Sequence, residues 1–111
     1  MDIEILYFEG CPNHQPALQR VQELLKEEGL SAEISQVQVS DQTTACKIGF
    51  LGSPSVRVNG LDVEPAARTT HAYGMMCRTY VSEFGREGLP SREVIRRALR
   101  EVESQILSHT S

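Results

Sequence analysis

At 111 residues, 40% of them hydrophobic, the chain is long enough for one continuous core that needs no disulfide staples. Eleven basic against fifteen acidic side chains leave a formal net charge of −4, which gives a nucleic-acid partner no electrostatic footprint. No apolar stretch approaches the length of a membrane span, Met1-Asp2-Ile3-Glu4 lacks the basic start of a signal peptide, and three cysteines at 11, 46 and 77 do not form a secreted disulfide framework. A reducing, cytoplasmic setting is expected.

Ile3, Ile5, Leu6, Tyr7 and Phe8 make a nearly unbroken apolar run, the pattern of a strand covered on both faces and hence central in its sheet. A helical period follows from about Gln15 to Glu28, with Leu18, Val21, Leu24 and Leu25 on one face and Gly29 as the stop. From Ser31 to Val39 the chain alternates again. The phase slips at Ser35-Gln36, which predicts either a bulge or a strand regular only in its second half. Such a strand–helix–strand unit implies a parallel pair. Asp41 is placed to cap a short helix through Thr44, Ala45 and Ile48, and Cys46 within it is read as a core residue.

Val56-Arg57-Val58, Asn59-Gly60, Leu61-Asp62-Val63 predicts a hairpin closed by a type I′ turn, with Val58 facing Leu61 and Val56 facing Val63. Residues 66–89 show no clean period and read as an irregular insertion. A final helix is expected from Ser91, burying Val94, Ile95, Ala98, Leu99, Val102 and Ile106 and fraying into a polar tail over 108–111. Arg92, Arg96, Arg97 and Arg100, interspersed with Glu93, Glu101 and Glu103, read as a solvated face of that helix. The chain is therefore expected to be one α/β domain over 1–111.

The residues that suggest chemistry begin at Cys11, in Gly10-Cys11-Pro12-Asn13-His14 between the first strand and the first helix. A thiol there meets free backbone amides and the positive end of a helix dipole, both of which favour the thiolate. Pro12 suits a first helical turn, Asn13 suits a cap, and an imidazolium at His14 would stabilise the thiolate. A polar residue in an exposed turn is the plain alternative for His14. The hairpin's second strand returns toward the Cys11 end of the sheet. The insertion therefore begins where Met75, Met76 and Cys77 can cover Cys11 as a lid, with Cys77 the candidate resolving thiol. Simple packing is the alternative for each of them. Cys11, His14 and Cys77 also offer soft-metal ligands, although no second closely spaced ligand pair accompanies them, and no metal or cofactor is expected. His71 has no spacing that argues for a role.

The order of elements and two motifs together resemble the thioredoxin-like superfamily over nearly the whole chain. Gly10-Cys11-Pro12-Asn13-His14 looks like its Cys-x-x-Cys site with histidine in the second cysteine's place, and Gly52-Ser53-Pro54-Ser55-Val56 looks like its cis-proline loop. Small bacterial members that open with Tyr-Phe-x-Gly-Cys-Pro are the nearest in pattern. Some of these are labelled as related to alkylmercury lyase, but no extended lyase motif is present here. The resemblance implies a four-stranded mixed sheet in the order β-α-β-α-β-β-α, with the irregular insertion before the last helix. It implies thiol–disulfide exchange with Cys11 as the nucleophile. Histidine in place of the second cysteine is a departure from the family that leaves two routes, monothiol chemistry through a mixed disulfide with glutathione or a similar thiol, or resolution by a cysteine elsewhere in the fold. With His14 flanking the thiol and Cys77 as the resolving candidate, the catalytic set is expected to be Cys11, His14 and Cys77. The resemblance places Pro12, Ser53 and a cis Pro54 at the binding site for a small thiol or a protein thiol or disulfide. Two other readings are soft-metal or organomercury binding through Cys11, His14 and Cys77, and a non-catalytic binding module.

Overall fold

The computed structural model describes residues 1–109, with side chains through Ile106. Its elements are β1 (Asp2–Tyr7), α1 (His14–Glu28), β2 (Glu33–Gln38), α2 (Gln42–Ile48), β3 (Ser55–Val58), β4 (Leu61–Asp62), a 3-10 turn at Pro65–Thr69, β5 (Tyr80–Ser82), β6 (Gly85–Glu87) and α3 (Arg92–His109). Four strands form one mixed sheet in the order β2-β1-β3-β4, with β1 parallel to β2 and antiparallel to β3. The expected order therefore needs correction. The segment 66–89 is not irregular throughout, because β5 and β6 pair as a separate antiparallel hairpin between β4 and α3.

The apolar run of β1 lies between β2 and β3 and feeds two cores. Ile3 and Ile5 join Val21, Leu24 and Leu25 of α1, Val56, Val58 and Val63 of the hairpin, and Ile95, Ala98, Leu99 and Val102 of α3. Leu6 points to the other face, where Val39, Ala45 and Phe50 enclose it. Alternation along one strand thus glues α1 and α3 to one side of the sheet and α2 to the other.

The same arrangement explains the phase slip in β2. The strand pairs with β1 residue for residue from Glu33 to Gln38, so it is regular throughout and has no bulge there. Its two half-buried anchors serve different cores, Ile34 the α1/α3 side and Val37 the α2 side. Three positions apart, they lie on opposite faces, and the sequence registers this as a lost phase.

Local signals place the helix ends and the turn. Gly29 and Gly49 terminate α1 and α2 in the left-handed conformation, and Asp41 Oδ1 accepts from the Thr44 amide at 2.7 Å. That bond also holds the Asp41 carboxyl below its ordinary value. Asn59 (φ 49°) and Gly60 (φ 82°) turn the β3–β4 hairpin, Val58 faces Leu61, and the Val63 amide donates to Val56 O at 3.0 Å. At the other end of the chain α3 continues through His109, so Ser108 and His109 belong to the helix rather than to a tail. Thr110 and Ser111 lie outside the described residues. Ile106, expected in the core, is 40% exposed.

The arginines of α3 are not merely a solvated face. Arg92 pairs with Glu23 (3.0 Å) and Glu27, Arg96 with Glu27 (3.5 Å), and Arg100 Nε with Glu28 (2.7 Å), which forms a ladder from α3 to α1. Pairs this exposed add little stability individually, but together they fix how the two helices align. No helix among the described residues is long and apolar enough to cross a membrane.

Phe50 has no exposed surface, whereas Phe84 at the β5–β6 turn is 86% exposed. Phe50→Ala is expected to cost about 3–5 kcal/mol in urea unfolding, and Phe84→Ala less than about 0.5 kcal/mol. The hydrogen bond from Arg100 lowers the Glu28 carboxyl. Its contribution is complete above the ordinary Glu value and lost as pH falls through the depressed one. Glu28→Gln should therefore flatten the acid limb of a stability-versus-pH curve while barely changing stability at pH 2.

Candidate functional site

Cys11 sits half-buried in a tight turn at the carboxyl end of β1. Its amide donates to Phe8 O at 3.3 Å, its carbonyl accepts from the His14 amide at 3.4 Å, and Gly10 provides the positive φ (85°) that the turn requires. Helix α1 starts only at His14, so Pro12 lies ahead of the first helical turn and is exposed. Asn13 occupies the cap position, but its side chain makes no capping bond. It packs instead on Gly88, where even a Cβ would overlap the Asn13 amide. The exit of the β5–β6 hairpin therefore abuts the Cys11 turn.

The His14 ring contacts the sheet. Its ring lies flat on Tyr7, with centroids 3.5 Å apart and planes 8° apart, and its Nε2 is 2.7 Å from Gln36 Oε1. These contacts join the start of α1 to β1 and β2. They make His14 a support of the turn that carries Cys11. The core reading of Cys46 needs correction. It is exposed on α2, its thiol 3.5 Å from Gln42 Nε2, because the short helix buries only Ala45.

The peptide bond between Ser53 and Pro54 is cis, immediately before β3. Ser53 and Pro54 are both buried, and Ser53 Oγ accepts from the Phe8 amide at 3.3 Å, which ties this loop to the Cys11 turn. The insertion returns to the same place. The Gly74 amide donates to Phe50 O (3.0 Å), the Ser53 amide to Met76 O (2.9 Å) and the Arg78 amide to Ser53 O (2.9 Å). Cys77 is thus the parallel bridge partner of Ser53, and bridge partners carry their side chains to the same side. Met76 and Cys77 remain exposed, while Met75 turns inward against the α2-side core. The segment is therefore pinned to the proline loop by a single parallel bridge. All three cysteines are free thiols.

A buried polar cluster holds this segment down. Arg78 makes a two-pronged pair with Asp62 (Nη1–Oδ2 2.7 Å, Nη2–Oδ1 2.9 Å), donates to Ser55 Oγ at 3.0 Å, and lies 4.5 Å over the Tyr80 ring. The Tyr80 hydroxyl donates to Pro54 O at 2.6 Å, and burial pushes the phenol above its ordinary value. Ser55 Oγ donates to Gly52 O at 2.6 Å. Among the described residues no buried side-chain nitrogen or oxygen lacks a partner. At Gly52 (φ 116°) a Cβ would come within 2.9 Å of Met76 O, so only glycine allows so close an approach.

Sequence reasoning missed the roles of Asp62, Arg78 and Tyr80. Their one signal was Arg78-Thr79-Tyr80, an alternation whose partners lie elsewhere in the chain. Among the described residues no three His, Cys, Asp or Glu side chains gather to hold a metal ion, so Cys11, His14 and Cys77 do not form a ligand trio. A cavity of about 340 Å³ lies beside the Cys11 turn, lined by Phe8, Glu9, Gln38, Val39, Ser40 and Met75. A larger concavity of about 850 Å³, between the β5–β6 hairpin and α3, holds none of the candidate site residues Cys11, Pro12, His14, Ser53, Pro54 and Cys77. Compared with family models, curated proteins and solved structures, the chain gives no match.

Asp62→Ala would leave the Arg78 guanidinium buried without its carboxylate, at an expected cost of about 3–5 kcal/mol. The double replacement Asp62→Leu with Arg78→Met should recover most of that loss, as read from urea midpoints of both variants.

Proposed function

We propose that the protein carries out thiol–disulfide exchange on a thioredoxin-like scaffold, with Cys11 as the nucleophile and Cys77 as the resolving thiol. The observation that carries this reading is the backbone bridge between Ser53 and Cys77. It brings the second thiol to the loop that is hydrogen-bonded to the Cys11 turn. The cis Ser53–Pro54 bond ahead of β3 and the half-exposed thiol at the β1–α1 junction support the same reading.

In the first step the Cys11 thiolate attacks one sulfur of a substrate disulfide. The substrate S–S bond breaks, a mixed disulfide forms and one substrate thiolate leaves. The Cys77 thiolate then attacks the Cys11 sulfur and releases the second substrate thiolate. The two electrons come from the cysteine pair, which ends as a Cys11–Cys77 disulfide. A low-molecular-weight thiol returns it to the dithiol by the same exchange. His14, stacked on Tyr7 and paired with Gln36, holds the turn in place.

Mild oxidation of the reduced protein with a glutathione redox buffer, followed by peptide mass mapping, tests the reading. A Cys11–Cys77 disulfide with Cys46 free is the expected product, and Cys77→Ser should stop at a Cys11–glutathione mixed disulfide. Cys11 left as a free thiol under conditions that oxidise Cys46 would overturn it.

A further inference from the structure

An unpaired strand edge is a template for any extended chain, because its free N–H and C=O groups can pair with an incoming backbone. Ser53, whose Oγ accepts from the Phe8 amide beside the Cys11 turn, offers such groups, and they are filled from within. The Ser53 amide and carbonyl are both engaged, by Met76 O and the Arg78 amide at 2.9 Å each. Gly52 meets the same segment so closely that not even a methyl group fits between them. The segment is also anchored by buried groups, with the Arg78 side chain 9% and the Asp62 side chain 7% exposed.

We propose that Met76–Arg78 is a built-in strap that restricts Cys11 to low-molecular-weight disulfides and excludes extended polypeptide substrates. The inference rests on the thiol-exchange reading and names its substrate class. A polypeptide must gain main-chain hydrogen bonds to be held beside the thiol, and the two that Ser53 offers are already used. A small disulfide needs neither. The cavity of about 340 Å³ gives its non-reacting half a seat bounded by Phe8 and Glu9 of the Cys11 turn and by Met75 at the start of the strap. That volume is within the range of small-molecule sites, and its place at the carboxyl ends of β1 and β2 is where sheets of this type hold ligands. Glu9 is the only charged side chain in its lining, so neutral or cationic substituents suit it better than anionic ones.

The test uses the pre-reduced full chain in single turnover, following consumption of the Cys11 thiol by bis(2-hydroxyethyl) disulfide and by insulin. Wild type should react faster with the small disulfide. Arg78→Ala, which frees the strap, should narrow the ratio by about 30-fold through a faster insulin reaction, the worth of two main-chain hydrogen bonds. Tyr80→Phe removes only the bond to Pro54 O and should narrow it less, which keeps the test intact if Arg78→Ala fails to fold. Equal wild-type rates for the two substrates, or variants that change both rates in proportion, would overturn the strap. Reduction of either disulfide by Cys11→Ser at the wild-type rate, read as release of the substrate thiol, would overturn the thiol-exchange reading itself.

Discussion

The buried pair between Asp62 and Arg78 is the constraint on which the candidate site depends. Taking a carboxylate and a guanidinium out of water is costly, and only good geometry with further hydrogen bonds offsets it. Both conditions are met. The contact is two-pronged, Ser55 Oγ takes a third donor from the guanidinium, and the Tyr80 ring covers its face. A buried pair of this kind contributes less to net stability than to uniqueness, since any arrangement that separates the charges leaves one of them buried and unpaired. What it makes unique here is the path of residues 76–80 across the proline loop.

The hairpin provides both halves of this arrangement by simple alternation. Val56, Val58 and Val63 face the α1/α3 core. The intervening Arg57 and Asp62 sit opposite each other across β3 and β4, on the other face. In a two-layer protein these two would face water. Here Arg57 Nη2 donates to Ile48 O and Gly49 O at 2.8 Å each, closing the end of α2, while Asp62 holds the strap. The polar face of the hairpin is thus the frame of the candidate site, just as its apolar face is the floor of the core.

This division explains what could be read in advance. Asn59-Gly60, Asp41, Gly29 and the valines carry information within a few residues, so the hairpin, the helix ends and the core of α1 and α3 were legible. Cys11 and Pro54 were legible for the same reason, as local punctuation between elements. The strap was not, because its meaning lies in partners 16 residues away at Asp62 and 24 residues away at Ser53, with no period to connect them. The surroundings of His14 were hidden for a like reason. Its ring partners, Tyr7 on β1 and Gln36 on β2, lie 7 and 22 residues away on the sheet side. Cys46 was assigned to the core as a thiol commonly is, although a seven-residue helix with one buried position had no room for it.

Whether a strap of this kind governs access depends on a competition that favours the chain's own segment. Met76–Arg78 is tethered on both sides, by Gly74 to Phe50 O and by Tyr80 to Pro54 O, so it reaches Ser53 at an effective concentration that a free peptide seldom matches. An incoming strand must replace two main-chain hydrogen bonds with two identical ones, which yields no net gain, and must also displace a buried ion pair. A small disulfide meets no such competitor, since its approach to Cys11 leaves the Ser53 edge untouched. Under the proposal, the feature that carries the second thiol to the site is therefore the same one that narrows what the first thiol can meet. In the proposed reading, the resolving cysteine and the selectivity for small disulfides come from one segment, held by one ion pair.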